Sequence, residues 1–219
     1  PLGFLRHFLR QVGQGRATEQ QLAVGEDEVA RLDRMLAWVR RLQRPVPVLR
    51  QVKVHVVCDR AIVLLRGEVD DRGQRCSVDV PSDLLVEADP DPMLQAVANL
   101  LRNAIQAAPI GGALGIRAAR DTDGGVTIDV WDTGPGVPTQ DTARVFTPWY
   151  TTRPDGSGLG LAVVQRVAST FRWSVEVERA DERTIFRLRV PPPPRVAVGT
   201  TEDVAAPRPE ATLEQVSTP

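Results

Sequence analysis

Between residues 90 and 108 the apolar positions Leu94, Val97, Ala98, Leu101, Ile105 and Ala108 recur at spacings of three and four. That is the period of a helix with one face turned to a core. A second series, Gln95, Asn99, Arg102, Asn103 and Gln106, keeps the same spacing on another face. Asp91 before Pro92 predicts the start of this helix: an N-cap carboxylate, then proline where its missing N–H costs nothing. Asn99 and Asn103 stand one turn apart on one stripe. Asparagine is a poor mid-helix residue, so two of them there suggest a use; a plain solvated face is the alternative.

The same periodicities divide the rest of the chain. Leu2, Leu5, Leu9 and Val12 form a three-four seam widened by Phe4 and Phe8. After a turn at Gly13–Arg16, Thr18 and Gln21 make a capping box, and Val29, Leu32, Leu36 and Val39 repeat the seam. Residues 1–47 are therefore expected to form an α-helical hairpin. Such narrow seams bury little alone, so pairing with a second hairpin in a homodimer is the natural outcome, with packing on the rest of the chain as the alternative. Arg44-Pro-Val-Pro47 reads as a linker. A helix follows from Val54 to Asp71, closed by Gly73, then strands over Cys76–Val80 and Leu84–Ala88. Beyond the asparagine helix, Leu114–Ala118 and Val126–Val130 alternate as strands around a turn at Asp123-Gly124. Leu159–Phe171 has helical spacing, and Ser174–Glu178 and Thr184–Val190 read as closing strands joined at Ala180-Asp-Glu. Strand pairs among three helices argue for an α+β, two-layer sandwich over residues 48–193. Residues 194–219, rich in Pro, Ala, Thr and Glu without a period, read as a disordered tail.

Composition narrows the function. With 27 basic against 28 acidic residues, the net charge of −1 gives no electrostatic case for nucleic acid or an anionic membrane. Cys58 and Cys76 lie outside any ligand or redox spacing and read as small core residues in a reducing, cytoplasmic setting. No apolar run approaches a membrane span and no signal peptide is visible, so no membrane contact is expected.

Two glycine-rich stretches carry the candidate chemistry. In Val130-Trp-Asp132-Thr-Gly134-Pro-Gly136 a strand delivers Asp132 at its end, and the glycines let backbone approach a ligand. A carboxylate fixed in an apolar pocket accepts a hydrogen bond from an exocyclic amine such as that of adenine; an ordinary Asp-x-Gly turn is the alternative. Gly156-Ser-Gly158-Leu-Gly160 runs straight into a helix, where free backbone N–H groups and the helix dipole favour phosphate. No Gly-Lys-Ser/Thr follows, and no strand precedes, so neither a Walker loop nor a dinucleotide fingerprint is present. Between them, the 18 residues from Pro138 to Asp155 hold Phe146, Trp149, Tyr150 and Arg153. A connection of that length inside a domain reads as a lid or binding loop.

Taken in order, Asn99-x-x-x-Asn103-Ala, Asp132-x-Gly134-x-Gly136, Val145-Phe146-x-Pro148-x-Tyr150-Thr-Thr-Arg153 and Gly156-Ser-Gly158-Leu-Gly160-Leu resemble the N, G1, F and G2 boxes of sensor histidine kinases. These belong to the gyrase, chaperone, kinase and mismatch-repair (GHKL) ATPases. The resemblance covers about residues 48–191, and the hairpin, with Glu28–Asp33 and Arg44-Pro45, is most like the nitrogen-regulation type. It implies a Bergerat/GHKL fold with a mixed sheet against three helices, ATP and Mg²⁺ as cofactors, and phosphoryl transfer to a histidine and on to a response-regulator receiver domain. It assigns Asn103 and Asn99 to Mg²⁺ and Asp132 to adenine. Gly134, Gly136, Phe146, Thr151, Thr152, Arg153, Gly156, Ser157, Gly158, Leu159 and Gly160 complete the expected ATP site. Three departures stand out. The family's acceptor histidine opens a His-Glu-x-x-Asn-Pro-Leu stretch, and this chain begins at Pro1-Leu2, so the acceptor is expected upstream and the fragment is expected not to phosphorylate itself. His7 lacks an acidic neighbour, and His55 reads as structural. Gln106 and Arg153 stand where lysines are usual, and the glycine pair before the last strand is replaced at Asp181-Glu-Arg183. A nucleotide-binding module without kinase activity and a sister ATPase are the alternatives.

Overall fold

The computed structural model describes residues 48–153 and 156–193; the hairpin expected over 1–47 and the tail expected over 194–219 lie outside them. The elements run β1 (Arg50–Lys53), α1 (Val54–Asp71), β2 (Arg75–Asp79), β3 (Leu85–Ala88), α2 (Pro90–Ala107), β4 (Ala113–Arg120), β5 (Val126–Asp132), a 3-10 turn (Thr139–Asp141), α3 (Gly160–Phe171), β6 (Ser174–Ala180) and β7 (Arg183–Val190). Five strands form one sheet in the order β2-β4-β5-β7-β6. The β2–β4 pair is parallel and the others are antiparallel, so the sheet is mixed and three helices accompany it, as the resemblance implies. β1 and β3 pair separately and antiparallel.

Period-two alternation explains how the layers meet. Leu114, Ile116 and Ala118 on β4, Val126, Ile128 and Val130 on β5, and Phe186, Leu188 and Val190 on β7 are all buried. The register aligns them as cross-strand rungs: Ile116, Val130 and Phe186 form one, Ala118, Ile128 and Leu188 the next. Their partners across the core are Val97, Leu101 and Ile105 of α2 and Val164, Val167 and Ala168 of α3, all in the same apolar cluster. On the opposite sheet face Asp129 is buried beneath arginines: Arg187 donates to it from Nε at 2.8 Å and Nη2 at 2.9 Å, and Arg117 at 3.3 Å.

The burial of α2 is broader than the expected stripe. Met93, Ala96, Leu100 and Ala104 are buried beside Val97, Leu101 and Ile105, while Leu94 and Ala98 are only partly covered. α2 is central and packs on α1 along one flank and on α3 along the other, so it needs apolar surface on two sides. It also begins one Asp-Pro pair earlier than expected. Asp89 is the N-cap, its carboxylate accepts the Asp91 N–H at 3.3 Å, and Pro90 opens the helix. Both Asp-Pro pairs satisfy the local rule; the first prevails because Asp89 also accepts the Val48 N–H at 3.1 Å, tying the helix start to the segment just before β1. At the other end the buried Gln74 side chain donates to the carbonyls of Ile105, Ala108 and Pro109 at 2.9, 3.0 and 3.2 Å.

Strand β1 was not expected. Only Val52 of its four residues is buried, too little for a pattern. β4 to β7 extend one or two residues past the expected ends, because ladder pairing carries through residues that periodicity cannot assign. Cys58 is buried, and burial pushes its thiol up to about 12. Among the described residues no helix is long and apolar enough to cross a membrane.

Candidate functional site

The site grows from the last rung of the sheet's core face. Leu114, Asp132 and Thr184 are cross-strand partners, and Thr184 is in turn opposite Arg179 on the edge strand. The apolar series Val126, Ile128, Val130 thus continues into a carboxylate. Asp132 has no exposed surface. One oxygen, Oδ1, accepts the Gly134 N–H at 2.7 Å; the other, Oδ2, is buried with no hydrogen-bond donor among the described residues. Burial pushes the Asp132 carboxyl above its ordinary pKa, opposed by the Gly134 N–H, then by the charges of Arg153 and Arg179 and by the Thr184 hydroxyl. A buried acceptor without a donor is costly, and Asp132 is among the residues that line a cavity of about 720 Å³.

One wall of that cavity is the polar stripe of α2: Asn99, Arg102, Asn103 and Gln106 all line it. Gln95, one turn earlier, does not; its backbone carbonyl instead accepts the Asn99 amide N–H at 2.9 Å. With its nitrogen engaged there, the Asn99 Oδ1 is turned toward Gly160, where it stands 3.6 Å from the position a Cβ would take. The opposite wall is the segment after β5. Gly136, Thr151, Thr152, Arg153, Gly156, Ser157, Gly158, Leu159 and Gly160 all line the cavity. Gly134 and Phe146 stand behind the wall instead. Gly134 is pressed so closely on α2 that a Cβ would lie 2.6 Å from the Ala107 carbonyl oxygen. Phe146 packs edge-on against Phe186, with centroids 6.1 Å apart. Both shape the cavity from outside it.

Arg153 joins the two walls. Its Nη1 donates to Gln106 Oε1 at 2.7 Å, and its Nη2 lies 3.4 Å from both Asn103 O and Asn103 Oδ1. Burial works against the Arg153 charge, and Asp132 supports it. Gln106 and Arg153, which depart from the family pattern at two positions, are therefore direct partners. Further along, Trp149 has φ +70°, unusual for an aromatic residue. Its N–H donates to the Gly158 carbonyl at 2.9 Å. Gly158 has φ +64°, and a Cβ there would sit 2.4 Å from the Trp149 carbonyl carbon, so only glycine fits. α3 then starts at Gly160 with no side-chain cap and no acidic residue in its first turn. Its positive dipole end lies along the cavity.

These groups fit a nucleotide and its cation. The donorless Asp132 Oδ2 suits an amine, and the α3 terminus with Arg153 suits phosphates. Asn99 and Asn103 offer neutral amide oxygens of the kind hard cations take. Among the described residues no group of three or more His, Cys, Asp or Glu is placed to hold a metal, so a cation here would rest on these carboxamides and on the phosphates. Sequence reasoning missed Thr184, Arg179 and Phe186, whose roles arise from strand register; the one usable signal was an Asp continuing an apolar alternation on β5.

Known proteins resemble this chain in sequence and in fold. Residues 88–194 match the family described as histidine kinase-, DNA gyrase B-, and HSP90-like ATPase. The chain is 28% identical over 192 residues to sensor histidine kinase ZraS of Escherichia coli K12, covering 86% of this chain and 41% of that protein. It is 31% identical over 194 residues to the sensory histidine kinase/phosphatase NtrB of Rhodobacter capsulatus, covering 77% of this chain and 51% of that protein. The chain thus spans about half or less of the length of these relatives. Among solved structures, the catalytic domain of histidine kinase ThkA superposes with a TM-score of 0.61 at 25% identity, over 66% of this chain and 95% of that one. Through residues 88–194 the chain belongs to the histidine kinase-, DNA gyrase B- and HSP90-like ATPases, on the GHKL fold of histidine kinase catalytic domains.

Proposed function

We propose that this chain is the ATP-binding catalytic part of a sensor histidine kinase, delivering the γ-phosphoryl group of Mg-ATP to a histidine and thence to a response-regulator aspartate. The observation that carries the reading is Asp132, a buried carboxylate with one donorless oxygen among the residues that line the cavity. In this reading Asp132 accepts the adenine amine. Asn103 and Asn99 hold Mg²⁺ through their amide oxygens, and the ion, when bound, neutralises phosphate charge. Arg153 moves from Gln106 to the terminal phosphate, and Gly156, Gly158 and Gly160 shape the backbone that covers it. Phosphoryl transfer has a loose transition state, so orientation and charge are what these residues supply. Two fold neighbours support the wider assignment. ShkA is solved full-length in complex with AMPPNP, and ThkA in complex with response regulator protein TrrA. A receiver domain is accordingly the proposed partner, and residues 1–47 the proposed dimer contact.

Titration of the full chain with Mg-ATP tests the site. Asn103→Ala is expected to abolish binding and Asp132→Asn to weaken it; wild-type affinity in both variants overturns the assignment. Kinase activity is tested separately, by mixing the chain with a full-length partner kinase inactivated in its own lid. Phosphate on the partner's histidine supports the kinase reading, and binding without transfer supports a nucleotide-binding module instead.

A further inference from the structure

We propose that Arg179 is a positioning residue for the nucleotide pocket, holding the Gly134–Gly136 turn beside Asp132 from the sheet's edge; this rests on the nucleotide reading above. Its Nη1 donates to the Gly134 carbonyl at 2.7 Å and lies 3.3 Å from the Thr184 hydroxyl. Gly134 is thereby held at both ends, its N–H by Asp132 and its carbonyl by Arg179. Gly136, at φ +90°, lies so close to the guanidinium that a Cβ would be 2.9 Å from Nη1. An exposed arginine usually makes no fixed contact; this one makes a short charge-assisted bond to the turn that lines the cavity. Its cation also favours the ionised form of Asp132.

The placement depends on the β6–β7 hairpin. Asp181 and Glu182 both have positive φ, 47° and 62°, the geometry a two-residue turn requires. This turn stands where the family's glycine pair is missing. It sets Arg179 opposite Thr184 on the core face; a slip of one residue would turn Arg179 to the outer face, among Arg117, Asp129 and Arg187.

The test measures Mg-ATP affinity of the full chain against pH for wild type, Arg179→Met, Arg179→Gln and Arg179→Lys. Arg179→Met is expected to bind about tenfold more weakly at neutral pH. As pH falls, affinity is lost when Asp132 takes up a proton; without the Arg179 charge, Met and Gln are expected to lose it at a higher pH than wild type, while Lys keeps the wild-type pH dependence. Should Arg179→Met fail to fold, Arg179→Gln, which can still donate to Gly134, carries the pH comparison. Wild-type affinity and pH dependence in Arg179→Gln, or a loss equal at every pH, overturns the proposal. Absence of Mg-ATP binding by the wild-type chain would overturn the nucleotide reading itself.

Discussion

Asp132 is kept where its own charge is disfavoured. Because burial raises its pKa in the folded state, the folded protein holds the proton more tightly than the unfolded chain does. The stability this residue contributes is therefore greatest at acidic pH, below the ordinary carboxylate range, and is lost as pH rises through the raised value. Asp132→Asn is expected to raise the melting temperature of the nucleotide-free chain at neutral pH, with the gain fading toward pH 3, while nucleotide affinity falls; a melting temperature unchanged or lowered at neutral pH would contradict this account. The same compromise between fold and ligand appears at Gly158. An alanine there would meet the Trp149 backbone and occupy a left-handed conformation, a strain of about 1–3 kcal/mol. Gly158→Ala is expected to weaken Mg-ATP binding by about tenfold or more, read by titration, and through the same strain to lower the melting temperature modestly.

At the scale of elements, α2 does two jobs with two faces. Its apolar flanks fill the space between α1, α3 and the sheet, and its remaining stripe presents Asn99, Asn103 and Gln106 to the cavity. Its ends are tied by groups far away in sequence: Asp89 at the start, and Gln74 at the close, through three carbonyls. Gln74→Ala is expected to destabilise the fold by about 1–3 kcal/mol, the cost of leaving the buried Ile105 carbonyl without its Gln74 donor, read as a lower denaturant midpoint. Since the Ala107 carbonyl is pressed against Gly134, the same variant is also expected to weaken nucleotide binding. The sheet end works alike: four strands each contribute one residue to the rung Leu114–Asp132–Thr184–Arg179, and none of those residues forms a site alone.

At the scale of the whole molecule, the cavity is bounded by α2, the ends of β5 and β7, the lid and the start of α3. A ligand there bridges parts of the chain more than 80 residues apart in sequence, from Asn99 to Thr184. Binding should therefore stabilise the domain as a unit. At a ligand concentration a hundredfold above Kd the gain is about 2.7 kcal/mol, seen as a rise in melting temperature with Mg-ATP. Asn103→Ala is expected to abolish that rise.

Much of this was legible in the chain before its fold was known. Short-range chemistry suffices for amphipathic helices, alternating strands and proline-aspartate boundaries. Four ordered motifs named Asn99, Asn103, Asp132 and the 156–160 glycines, all of which line one cavity. Where two local signals were equally good, as with the successive Asp-Pro pairs, a contact to Val48 broke the tie. Tertiary structure alone decided the rest: that α2 is buried on two sides, that Gly134 and Phe146 stand behind the wall, that Gln106 meets Arg153, and that Thr184 and Arg179 share a rung with Asp132. The physical reason is the same in each case. Periodicity reports which side of an element faces inward, but strand register and helix docking, which sum weak contacts across the whole chain, decide what it faces.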